Sequence, residues 1–74
     1  MEIAHRISVN EKVRSGKPVI TGTRVPVDVI LGKLASDMGY DIIMKEYEIS
    51  REDILAVLDY AAKTLAHEEV RAVG

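Results

Sequence analysis

Side chains able to do acid–base or nucleophilic chemistry are sparse in this chain. His5 and His67, its two histidines, stand at opposite ends, neither with a carboxylate or second histidine at ligand or general-base spacing. Each reads as a surface histidine. Glu68 and Glu69 follow His67, but consecutive helical residues diverge in direction and make a poor metal site. The absence of cysteine excludes a disulfide scaffold and a thiolate zinc centre. The Gly-containing run T-G-T-R at 21–24 lacks the Lys-Ser/Thr ending of a phosphate-binding P-loop. The expectation is a non-enzyme that needs no metal and no cofactor.

Binding chemistry is better represented. Up to Lys33 the chain carries six basic and three acidic residues; beyond it, four basic and nine acidic. The basic front suits phosphate or an acidic protein, whereas the acidic back is repelled by nucleic acid. Arg24 follows a turn glycine and a threonine, where a guanidinium can be held for bidentate contact with phosphate or carboxylate. The alternative is structural: Arg24 pairs with Asp28, four residues on, or caps carbonyls of the turn. Arg14 and Lys17 flank the same segment, and Arg51 opens the last helical segment, so Arg14, Lys17, Arg24 and Arg51 are the candidate DNA contacts. Glu52 and Asp53 beside Arg51 suit the helix dipole better than a phosphate backbone. Leu65, Glu68, Glu69 and Val70, at the C-terminal end, are the candidate contacts to a protein partner.

The elements that must position these residues follow from pattern. G-K-P-V-I-T-G-T-R-V-P-V, residues 16–27, contains two prolines and two glycines around β-branched runs. No helix can pass through it. It reads as a turn, a short strand over 19–21, a turn at Gly22 and an extended piece over 23–25, with Pro26 in the first turn of a helix. Residues 6–9 alternate as a half-buried strand does, and this strand is expected at an edge or in a dimer contact. Val27, Ile30, Leu31, Leu34, Ala35 and Met38 fall on one face of a first helix, about three turns long. Tyr40, Ile43, Met44 and Tyr47 form a second, opened by Gly39. Ser50 with Asp53 three positions on resembles a capping box before a third, whose apolar stripe is Ile54, Val57, Leu58, Ala61, Ala62 and Leu65. Three helices with a short turn before the last make a unit of the helix-turn-helix kind.

At 74 residues the chain is one domain, divided into a β element over 1–25 and a three-helix unit over 26–74. So small a core, without Phe or Trp, favours self-association, and a homodimer built partly on residues 6–25 is expected. No apolar window reaches the length of a membrane span, and the N-terminus shows no secretory pattern. A cytoplasmic protein with no membrane contact is expected.

Three segments, ISVNEKVRSGKPVITGTRVPVDVILGKLA, M-x-x-x-x-I-M-x-x-Y and I-S-R-E-D-I-L-A-V-L-D-Y-A, together resemble the bacterial DUF433 family, from Ile7 to about Ala62. The resemblance implies a mainly α fold: a short N-terminal β element followed by a three-helix, homeodomain-like (helix-turn-helix) unit. It also implies an antitoxin of the VapB type, which neutralises a PIN-like ribonuclease toxin and binds its own operator DNA. A stand-alone DNA-binding regulator and a structural dimerisation module are the competing readings. Two departures stand out: Gly39-Tyr40-Asp41-Ile42 replaces the Ser/Thr and glutamates that commonly open the second helix, and Glu48 stands where a proline commonly follows its closing tyrosine.

Overall fold

The structure is a computed structural model and describes residues 1–67. The β-branched runs at its start form three short antiparallel strands, β1 (Glu2–Ala4), β2 (Ile7–Ser8) and β3 (Val19–Ile20), in the order β1-β2-β3. Ile7 faces Ile20 and Ser8 faces Val19, so β2 is central, flanked on both sides, and not the edge strand its alternation suggests. Between β2 and β3 a turn of 3-10 helix covers Arg14–Gly16, whose three residues all have positive φ.

The Pro-Gly segment folds back on β3. The Thr23 amide donates to the Ile20 carbonyl at 3.0 Å, closing a β-turn with Gly22 at its third position and φ 80, where a side chain is disfavoured. The strand stops at Ile20, one residue short of expectation, because the turn closed by the Thr23 amide begins there; Thr21 N–H still donates to the Arg6 carbonyl. Beyond the turn, Ile20 N–H donates to Val25 O and Val27 N–H to Pro18 O, each at 3.0 Å, so the chain seals the outer edge of β3 with its own backbone.

Pro26 has extended ψ and precedes the first helix instead of lying inside it. That helix, α1 (Val27–Ala35), ends before Met38 because Asp37 adopts a left-handed φ of 66, letting Asp37 N–H reach Leu34 O and Met38 N–H reach Lys33 O. Then α2 (Tyr40–Tyr47) stops the same way: Glu48 has φ 55, and Ile49 N–H donates to Met44 O. The third helix, α3 (Arg51–His67), opens on the capping box read from the sequence, with Asp53 N–H to Ser50 Oγ at 3.1 Å and Ser50 N–H to Asp53 Oδ2 at 2.9 Å.

The fold is mainly α, with the small sheet packed on the helices. Ile7, Ile20, Ile30, Ile43, Ile54 and Val57 are the large fully buried side chains. Each buried Ile contributes about 1.5–3 kcal/mol of transfer free energy, so isoleucine does the work that aromatic residues do in larger cores. The stripe of α3 differs from expectation: Ile54, Ala56 and Val57 are buried and Tyr60 and Ala61 half-buried, whereas Leu58, Ala62 and Leu65 are exposed. The helix is longer than the layer it packs on, and among the described residues nothing covers the apolar side chains of its second half. No helix among the described residues is long and apolar enough to cross a membrane.

Candidate functional site

Two surfaces concentrate the side chains with binding chemistry. The first is the junction of the β element with the helices. Arg6 sits in the β1–β2 turn with φ 62 and sends its guanidinium to the first turn of α3, bonding Asp53 Oδ1 at 3.0 Å and the Glu52 carboxylate. Burial pushes the Asp53 carboxyl up, but the Ser50 amide, Arg6 and the Ser50 hydroxyl outweigh it and hold the group below its ordinary value. Both acids that open α3 are thus bound to the chain's own arginine.

Of the four candidate DNA contacts, the structure links Arg14 and Arg24, since Arg14 Nε donates to the Arg24 carbonyl at 3.2 Å. Lys17 pairs with Asp28 at 2.9 Å, and this contact holds the Asp28 carboxyl below its usual range. Asp28 is therefore engaged by Lys17, and the alternative pairing of Arg24 with Asp28 is not formed. The Arg24 side chain is exposed and makes no hydrogen bond or ion pair among the described residues. Arg51 belongs elsewhere: its guanidinium lies over the Tyr40 ring of α2, 5.0 Å from the centroid, a cation–π contact. The contact holds the Arg51 guanidinium against the fold. Among the described residues no group of three or more His, Asp or Glu side chains gathers as a metal site requires.

The second surface is the outer face of α3. Leu55, Leu58 and Leu65 are 46%, 37% and 64% exposed, and Ala62 lies exposed between them. Beside Leu55 an open groove of about 310 Å³ runs between His5, Glu52, Leu55, Ala56 and Asp59. Lys63 reaches back to Asp59 at 2.9 Å along one edge of the face. Of the candidate partner contacts, Leu65 is on this face, while Glu68, Glu69 and Val70 lie outside the described residues. Reading α3 as a single apolar stripe hid Leu55 and put Leu58 and Leu65 on the buried face; the signal present was the second series 55, 58, 62, 65. Arg6 escaped notice because its partners are 46 and 47 residues away.

The family model described as a protein of unknown function, DUF433, matches residues 7–61. The chain belongs to the DUF433 family. The DUF433 match starts at β2 and stops at Ala61, so it takes in the turn of Arg14, Lys17 and Arg24 and the buried half of α3, and leaves out β1 and Leu65. No curated protein and no solved structure matches the chain.

Proposed function

We propose that this DUF433 protein is a non-catalytic, antitoxin-like binding protein that occupies a PIN-like ribonuclease and, with it, contacts operator DNA. The observation that carries the reading is the outer face of α3, where three leucines stay in solvent on a helix whose other face is buried only over its first half, at Ile54, Ala56 and Val57. A monomer this small gains nothing from such a face, and exposed apolar stripes on helices are the usual means of docking in a groove of another protein. The charge distribution supports the same reading, since an acidic C-terminal half competes with RNA for a basic nuclease groove. The test is co-expression with a PIN-like ribonuclease encoded in an adjacent reading frame. The full chain restores growth and co-purifies with the nuclease, and truncation after Ala62 abolishes both; a nuclease left fully active by the full chain refutes the proposal.

DNA contact is a second reading, favoured by the exposed Arg24 side chain beside Arg14. Arg24→Ala then lowers the dependence of affinity on salt by about one counterion while leaving thermal stability unchanged. Glu52→Ala has no such effect on affinity.

A further inference from the structure

Resting on the DNA reading above, we propose that the turn over residues 20–25 is a preset holder for one arginine, with Arg14 and Thr23 positioning Arg24 against the phosphates of duplex DNA. The first turns of α3, which a helix-turn-helix protein lays in the groove, stay out of it. Charge separates the two surfaces. Residues 12–27 hold four basic side chains, Lys12, Arg14, Lys17 and Arg24, and no carboxylate. Over 51–59 the exposed side chains are Arg51, Glu52, Leu55, Leu58 and Asp59. The one cation among them lies over the Tyr40 ring, so phosphates brought to this face meet two carboxylates and two leucines. Such a helix is repelled by a groove.

The turn is built differently, and Thr23 is its clamp. The Thr23 hydroxyl donates to the Ile20 carbonyl at 2.7 Å and accepts from the Val25 amide at 3.0 Å, tying the two ends of the turn together from within. Backbone bonds from Thr23 N–H to Ile20 O and from Ile20 N–H to Val25 O fix the same residues. The carbonyl of Arg24 itself accepts from Arg14 Nε at 3.2 Å. Arg14 and the Ser15 beside it have φ 52 and 55, a conformation that residues other than glycine keep only where their surroundings hold them in it. A clamp and a strained arginine thus fix the backbone of Arg24, whose side chain is exposed and bonds nothing among the described residues. An arginine on a fixed backbone loses less freedom on closing on a phosphate, and its planar fork makes two bonds there. Among the described residues only Nε of Arg14 is engaged, so its charge adds to that of Arg24 at the same place. Two guanidiniums on an outward turn, with no element beside them to fill a groove, suit the phosphate backbone that every sequence shares.

The test is titration of the full chain, without nuclease, onto a duplex from upstream of its own reading frame and onto an unrelated duplex of equal length, over a range of salt. The two duplexes bind within about threefold of each other. Arg24→Ala lowers the salt slope by about one, and Arg14→Ala combined with Arg24→Ala lowers it by about two. Thr23→Val keeps every charge: measured where the variant is fully folded, it leaves the slope unchanged and weakens binding about fivefold, and Thr23→Ser restores it. A purely structural threonine would cost thermal stability and leave the affinity of the folded chain alone. Arg51→Gln changes neither slope nor affinity. A chain that binds neither duplex removes the DNA reading and the proposal together. A chain that binds, yet prefers one duplex by more than about threefold, keeps its slope without Arg14 and Arg24, loses slope with Arg51→Gln or binds unweakened with Thr23→Val, overturns the proposal alone.

Discussion

The first turn of α3 is held by a reciprocal cap between Ser50 and Asp53, by Arg6 bonded to Glu52 and Asp53, by Arg51 on the Tyr40 ring, and by Ile54 at the centre of the core. From Ala62 to His67 every residue of the same helix is exposed, and among the described residues its one side-chain pair joins Lys63 back to Asp59. A helix anchored so unevenly divides its work. The first half belongs to the fold, and the second is a projecting rod whose stability comes from propagation alone, because Ala, Lys and Leu are good helix formers. Changes in the second half can therefore alter what binds without altering what folds.

The largest effect expected of this division is at Ile54. Ile54→Ala removes a fully buried side chain and costs about 2–5 kcal/mol in urea unfolding, a large share of the stability of a domain this small. Next comes Asp53→Ala, which removes one capping hydrogen bond and one partner of Arg6. A loss of about 1–2 kcal/mol is expected, read from the same unfolding midpoint. Acid titration should give a smaller, graded loss. The folded Asp53 carboxyl lies below its unfolded value of about 3.9, so its stabilisation is complete above that value and disappears as pH falls through the lower, folded one. Arg6→Ala should flatten this part of the pH profile. Asp28 shifts in the same direction, but its pair with Lys17 stands in solvent and is screened by salt. The smallest effect is at the far end: Leu65→Ala, measured at concentrations where the chain is monomeric, should change stability by no more than about 0.5 kcal/mol. A cost at Leu65 comparable with that at Ile54 would break the distinction between the two halves.

Local rules made much of this legible in advance. The apolar period from Val27, the Pro26 boundary and the Ser50–Asp53 cap each depend on residues a few positions apart, and the sequence displays them together. The stops of α1 and α2 were harder, because both rest on acidic residues, Asp37 and Glu48, in a left-handed conformation usually met by glycine or asparagine. The β1 strand escaped because Glu2–Ala4 is too short to show alternation and exists by pairing with β2. For the candidate surfaces, the segment of Arg14, Lys17 and Arg24 was visible as a basic cluster, but the choice of Lys17 over Arg24 as the partner of Asp28 depends on how the chain turns at Gly16 and Gly22. The exposed leucines of α3 followed a helical period as well as the buried residues did. Periodicity identifies a face, and only packing decides whether the chain has anything to lay against it.

The backbone seal on β3 bears on aggregation. A three-stranded sheet ordinarily offers two ladders of unpaired amides and carbonyls for recruiting further chains, but here the 25–27 segment occupies one of them. Only β1 offers an edge among the described residues, and it is blunted: three residues long, broken by a bulge between Glu2 and Ala4, and bearing a carboxylate at its start. A molecule with an exposed apolar helix face becomes a link in a fibre as soon as that face and its sheet edges both join other copies. By closing one ladder and shortening the other, the fold lets a sticky helix face exist in a crowded solution without that face becoming the first bond of a polymer.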